Sequence, residues 1–298
     1  MYVGLWSRVG GVERSAVTRA LEDRSIVQGT LMRCTIHLVG RDDYWPIARA
    51  VRIPRRTWFL RSRRGQVSAA EMAGAARRLR RRLAEGPVGA READALLGRP
   101  QSGGVGLWVD LVRVPPSGTW ERRRADLLGL AEDWVPPQRV APVAALEHLV
   151  RTYLRAFGPA QGRDVANWAG ATVADLTPAL RRMGLRRFRG PEGEELVDLP
   201  GMPLPSGDTP APVRFLPHWD AALLVHARRA GVLPEEYRPR IFSARNPHST
   251  AVFLVDGAVA GAWAHRDGRI VLEPYAPLDP ADRRALDEEA ERLAAFMS

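Results

Sequence analysis

Residues 145–199 read ALEHLVRTYLRAFGPAQGRDVANWAGATVADLTPALRRMGLRRFRGPEGEELVDL. Apolar residues recur at helical spacing through Leu146, Leu149, Val150, Tyr153, Leu154 and Phe157, and Gly158-Pro159 stops them. A short second helix over 163–169 turns Val165, Ala166 and Trp168 inward, and Gly170 supplies the positive φ of a tight exit. Thr172 caps a third helix, with Asp175 three residues on as a capping box and Val173, Leu176 and Leu180 facing inward. A hairpin follows, with strands 185–189 and 195–199 around Gly190-Pro191-Glu192-Gly193. Three helices and a hairpin in this order predict a winged helix-turn-helix, whose third helix enters a major groove while the wing touches backbone.

The charges agree with that reading. Arg181 and Arg182 end the third helix and Arg186, Arg187 and Arg189 line the wing, on the two elements such a module offers to DNA. A protein-docking scaffold is the competing reading, with the helix-terminal arginines complementing the macrodipole. The whole chain carries 44 basic and 34 acidic residues, a net charge of +10, and has no lysine, so every cationic side chain other than histidine is arginine. A GC-rich coding sequence accounts for arginine over lysine but not for the surplus of positive charge, which attracts polyanions.

Outward from this module, similar patterns recur. Residues 1–9 form an apolar segment with no capping residue ahead of it, a helix follows to Leu21, and 30–39 reads as one strand broken by Gly40. Together these make an incomplete winged helix. On that strand Arg33, Thr35 and His37 share a face and are candidate DNA contacts. A helix over 42–51 closes the unit. Residues 52–64 then hold six arginines, Arg55 and Arg56 among them, interleaved with Trp58 and Phe59, the pattern of a basic connector that follows phosphates. Ser68 and Glu71 make a capping box for a helix ending at 83 or 84, a short helix over 90–97 ends at Gly98, and 106–114 with 119–128 predicts a basic wing carrying Arg122 and Arg123. After Leu199 come five prolines in 13 residues, then a helix over 219–230, three strands with hairpin signals at Asp256-Gly257 and Asp267-Gly268, and a helix over 280–296. The expected fold is α+β: tandem winged helix-turn-helix units followed by a small antiparallel meander cap, divided at 1–64, 65–140, 141–203 and 204–298.

Several chemistries are excluded or unsupported. Cys34 stands alone, so no cysteine framework exists, and the six histidines show no ligand spacing, so no metal is expected. Without lysine there is no Walker loop, and no Gly-x-Gly-x-x-Gly follows a strand, so no cofactor is expected. His218 and Asp220 flank Trp219, with a helix-capping Asp as the preferred reading over a catalytic pair. No signal peptide and no apolar run approaching about 18 residues is present, so a cytoplasmic, nucleoid-associated protein without membrane contact is expected.

Four separated segments carry a family resemblance: Tyr2-Val-Gly-Leu-Trp-Ser-Arg-Val9, Leu31-Met-Arg-Cys-Thr-Ile-His-Leu-Val39, Phe215-Leu-Pro-His-Trp-Asp-Ala-Ala-Leu-Leu224 and Phe253-Leu-Val-Asp-Gly-Ala-Val-Ala-Gly-Ala-Trp263. In this order the chain resembles the AlkZ/YcaQ-like winged-helix DNA glycosylases over nearly its whole length. The resemblance implies a basic duplex-binding surface and metal-free hydrolysis of N-glycosyl bonds, excising alkylated bases or unhooking interstrand cross-links. It also implies a catalytic Gln-hydrophobic-Gln or Gln-hydrophobic-Asp motif just ahead of the segment matched by Tyr2 to Val9. None of the five glutamines (28, 66, 101, 138 and 161) has Gln or Asp two residues later. The expectation is therefore a chain truncated at its amino terminus, or a binding-only relative, whose catalytic residues are unknown. Its partner is double-stranded DNA, damaged or intact, and it is expected to be a monomer. A winged-helix transcription regulator is the alternative, distinguished by paired recognition helices and preference for one sequence.

Overall fold

The computed structural model describes residues 1–224, 230–242 and 249–298. Part of the expected 219–230 helix, with His226 and His248, lies outside them. The chain divides into two compact units, Thr18–Met202 and a second made of Met1–Val17 with Pro203–Ser298.

Chain order opens with α1 (Tyr2–Trp6) and α2 (Arg14–Glu22). In the Thr18–Met202 unit, β1 (Ile26–Thr30) and β2 (Ile36–Gly40) form an antiparallel hairpin in the register Ile26↔Gly40 to Thr30↔Ile36. The run expected to be one strand is thus the second half of a hairpin and its tip. Arg33 and Cys34 take left-handed φ values of 50° and 59°, which turn the chain without a glycine to announce the turn.

Next, α3 (Arg41–Ser62) replaces both the shorter expected helix and the basic connector. Pro54 removes an N–H and with it one helical hydrogen bond. The helix continues because Tyr44, Ala48, Val51, Arg55 and Phe59, at steps of three and four, form one buried stripe. An arginine at the fourth of those positions hid the stripe from a reading of apolar periodicity.

The helix α4 (Ala69–Leu83) begins at the capping box: Ser68 Oγ accepts from Glu71 N at 3.2 Å and Glu71 Oε2 accepts from Ser68 N at 2.7 Å. Short β3 (Val88–Gly89) leads into α5 (Ala90–Leu97). The expected basic wing is mostly loop, since only β4 (Leu111–Arg113) and β5 (Leu127–Leu130) are strands. They join the first hairpin in one five-stranded sheet, β2-β1-β4-β5-β3. Met72, Ala75, Leu79 and Leu83 of α4 pack with Ala93, Leu97, Leu111, Leu130 and Phe59 beneath it.

After α6 (Ala131–Trp134) come α7 (Pro142–Phe157), α8 (Gly162–Ala169), α9 (Val173–Arg182), β6 (Arg186–Arg189) and β7 (Glu195–Asp198). These match the expected three helices and hairpin in order and closely in bounds, but Val173, expected to face inward, is exposed at the first turn of α9. Leu149, Val150, Tyr153 and Leu154 of α7 are buried, as are Val165, Ala166 and Trp168 of α8 and Leu176 and Ala179 of α9, and the Tyr153 and Trp168 rings meet at 5.5 Å.

In the second unit, β8 (Arg214–Leu216), α10 (Ala221–Leu224) and α11 (Arg238–Ile241) precede β9 (Val252–Val255), β10 (Ala258–Arg266), β11 (Arg269–Pro274) and α12 (Pro280–Met297). The sheet order is β11-β10-β9-β8. Both expected hairpin turns have positive φ at their central pair, 47° and 74° at Asp256-Gly257 and 48° and 76° at Asp267-Gly268, the type I′ signature. Val3 of α1 enters the core of Phe215, Phe253, Leu286 and Leu293, so the first residues pack here rather than in a winged-helix unit with the hairpin. The fold is α+β throughout.

Candidate nucleic-acid interface

The junction between α8 and α9 is built by two local devices. Gly170 ends α8 with φ 70°, and Thr172 starts α9, its Oγ1 accepting from Asp175 N at 3.2 Å while Asp175 Oδ2 accepts from Thr172 N at 2.8 Å. This fixes α9 so that Arg181 and Arg182 leave its carboxy-terminal turn exposed, directly ahead of β6. Arg186, Arg187 and Arg189 are exposed on β6. Their environments differ. Arg182 pairs with Glu147 at 2.9 Å and Arg187 with Glu195 at 2.6 Å, whereas Arg181, Arg186 and Arg189 have no carboxylate within 4.0 Å among the described residues.

The tip of the first hairpin is held from two sides. A Cβ on Gly170 would lie 2.9 Å from the Arg33 N and 3.0 Å from its Cα, so only glycine lets the α8 exit and the tip approach this closely. Arg33 Nη1 also donates to the Trp168 carbonyl. From the other side Arg55, only 5% exposed, donates to the carbonyls of Thr30 (2.6 Å), Leu31 (3.0 Å) and Gly106 (3.4 Å). Backbone carbonyls thus take the place of a counter-carboxylate for this buried guanidinium. Arg56 sits nearby with Nε on the Leu107 carbonyl at 2.7 Å and its guanidinium 5.3 Å from the Trp108 ring.

Arg33, Thr35 and His37 therefore do not share the face of one strand: Arg33 is in the left-handed tip, Thr35 is exposed beyond it, and His37 lies in β2. His37 Nδ1–H meets the Thr35 carbonyl at 2.9 Å. Burial pulls its pKa down to about 4, with the Arg33 and Arg55 charges acting in the same direction and the Thr35 hydrogen bond against it.

Between β4 and β5, the 115–126 loop is irregular but pinned. Ser117 Oγ accepts from Asp126 N (2.7 Å) and Leu127 N (3.0 Å) and donates to the Arg124 carbonyl (2.9 Å). Gln28, 2% exposed, donates to the Gly118 carbonyl at 2.9 Å. This loop displays Arg122, which pairs with Asp126 at 3.4 Å, and Arg123, whose guanidinium lies 4.2 Å from the Trp120 ring. Sequence reasoning missed Ser117 and Gln28; a serine and a glutamine carry no periodic signal.

Asp220, the residue weighed for a catalytic pair, is occupied. Its carboxylate takes both Arg8 nitrogens at 2.6 and 3.0 Å and accepts from Ala222 N at 2.9 Å, the start of α10. Among the described residues no group of three or more His, Cys, Asp or Glu could hold a metal, and no helix is long and apolar enough to cross a membrane.

A helix-turn-helix leading into a basic hairpin is an architecture of duplex-binding proteins. Residues 1–296 match the family model described as DNA glycosylase AlkZ-like, and the chain belongs to that family. The solved structure of Streptomyces sahachiroi DNA glycosylase AlkZ has the same fold, with a TM-score of 0.79 at 20% identity, over 98% of this chain and 87% of that one. No match is found among curated protein sequences.

Proposed function

We propose that the chain is a winged-helix protein that binds duplex DNA as a monomer, in the cytoplasm, and serves the repair of alkylated or cross-linked DNA. The contacts proposed are Arg181 and Arg182 of α9, Arg186, Arg187 and Arg189 of the wing, Arg122 and Arg123 of the 115–126 loop, and Thr35 and His37 at the first hairpin, whose tip Arg33 holds through the Trp168 carbonyl. The observation that carries this reading is the set of exposed arginines without carboxylate partners on the last turn of α9 and on β6. Uncompensated guanidinium groups on a helix end and an adjacent wing suit a phosphate backbone. The proposal is confined to binding, because the glutamine pair implied for catalysis is not among residues 1–298.

The test is fluorescence anisotropy with intact and alkylated duplexes at several salt concentrations. Each phosphate contact adds roughly 0.9 to the slope of log affinity against log salt, so about four contacts give a slope near −4. A slope near zero refutes duplex binding. A strong preference for one undamaged sequence supports a transcription regulator instead.

A further inference from the structure

The Thr18–Met202 unit contains a cavity of 560 Å³ that phosphate contacts along α9 and the wing leave unused. Its size is within the roughly 300–1,000 Å³ of small-ligand sites. Trp58 and Phe59 of α3 form one wall, the turn at 102–107 faces them, and Arg63 and Arg113 line it with no aspartate or glutamate among the lining residues.

Three observations say what it takes. First, the turn packs on an aromatic ring: a Cβ on Gly104 would lie 2.2 Å from Phe59 Cζ, so only glycine lets the backbone come this close to the ring. Trp58 is 56% exposed, leaving a large indole face available at the cavity. Second, Ser102 Oγ is buried with no hydrogen-bond partner, and an unsatisfied buried hydroxyl is a donor and acceptor waiting for a polar edge. Third, the Arg113 side chain makes one long hydrogen bond, Nε to the Ala125 carbonyl at 3.4 Å, and neither it nor Arg63 has a carboxylate within 4.0 Å among the described residues. Flat apolar walls, one polar edge and two uncompensated cations match a planar heteroaromatic ring that carries an anionic group.

We propose that this cavity receives one unpaired nucleotide, its base against Trp58 and within reach of Ser102 Oγ, its phosphate on Arg63 or Arg113. The inference deepens the duplex-binding reading by naming a second mode of contact, and the chemistry is shared by an extrahelical nucleotide in a duplex and a free mononucleotide.

The experiment uses the full chain and three probes: a paired duplex, the same duplex with a single 2-aminopurine bulge, and free 2-aminopurine nucleoside monophosphate. Binding is read by anisotropy and stacking by quenching of 2-aminopurine fluorescence. The bulged duplex is expected to bind about tenfold tighter than the paired one, within what stacking of one base on an aromatic ring supplies, with its fluorescence quenched. Trp58→Ala, at an exposed position, is expected to bring the bulged-to-paired ratio to about one and abolish the quench, and Ser102→Ala to lower the ratio a few-fold. If only the free nucleotide is quenched and Trp58→Ala removes that quench, the site stands and its source is a mononucleotide. If the paired duplex binds while neither 2-aminopurine probe is quenched, or if the ratio survives Trp58→Ala, the cavity proposal is overturned. Failure of the paired duplex alone counts against the duplex reading and not against the site.

Discussion

Replacing Gly170 by alanine tests whether the α8 exit and the tip of the first hairpin are locked together. Two costs are separable. At φ 70° an alanine pays the left-handed penalty, about 1–2 kcal/mol. Its Cβ would in addition stand 2.9 Å from the Arg33 N and 3.0 Å from the Arg33 Cα, both backbone atoms that cannot swing aside as a side chain end would. Overpacking of this kind typically costs about 1–3 kcal/mol more. Gly184 is the internal control: its φ is 58°, but nothing lies within 4 Å of where its Cβ would be, so Gly184→Ala should cost only the left-handed part. The assay is urea unfolding of both variants, comparing midpoints at equal slopes. Gly170→Ala should be the less stable of the two by about 1–3 kcal/mol. Equal midpoints would refute the claim that the tip is packed on Gly170.

Replacing Arg186, Arg187 and Arg189 together by alanine should weaken binding to all duplexes alike and reduce the magnitude of the salt slope by about 2, since Arg187 is already shared with Glu195; loss limited to one sequence or lesion would mean that the wing reads bases. His37, with its pKa lowered from 6.5 to about 4, gives a pH signature. The unfolded chain takes up a proton between those values and the folded chain does not, so this stabilisation is complete above about 6.5, falls away with acidification to about 4 and is flat below. Its full size is about 3 kcal/mol. Unfolding midpoints of the wild type and His37→Gln across pH 4–7 should diverge in that window, and parallel curves would place His37 in water.

What was legible in the sequence was whatever short-range chemistry alone decides. Thr172 with Asp175 and Ser68 with Glu71 announce helix starts because each box is closed by hydrogen bonds among four consecutive residues. The Asp-Gly pairs announce type I′ turns because φ is positive at both positions. Long-range decisions were not legible. Arg33 and Cys34 turn the chain in a left-handed conformation that Arg55, Trp168 and Gly170 hold from elsewhere in the chain, so local propensity read through them as a strand. Arg55 broke the apolar stripe of α3, so the stripe that carries the helix through Pro54 went unread. The packing of Val3 with Phe215 and Leu293 joins residues far apart in sequence, and no spacing rule reaches that distance.

The same distinction corrects any argument from charge alone. Ten arginines were candidates for DNA contact, and the structure sorts them by where their donors go. Arg33, Arg55 and Arg56 spend hydrogen bonds on the carbonyls of Trp168, Thr30, Leu31, Gly106 and Leu107, so they hold the hairpin tip and the 105–107 turn. Arg122, Arg182 and Arg187 are shared with Asp126, Glu147 and Glu195, exposed pairs worth little that a phosphate can compete for. Arg123, Arg181, Arg186 and Arg189 have no carboxylate within 4.0 Å among the described residues. If every candidate met a phosphate, the salt slope would approach −9; if only the unpaired ones do, it is near −4. The measured slope therefore distinguishes surplus charge from displayed charge. A value near −9 would mean that the buried guanidinium of Arg55 leaves its carbonyls on binding, which its position in the α3 stripe opposes.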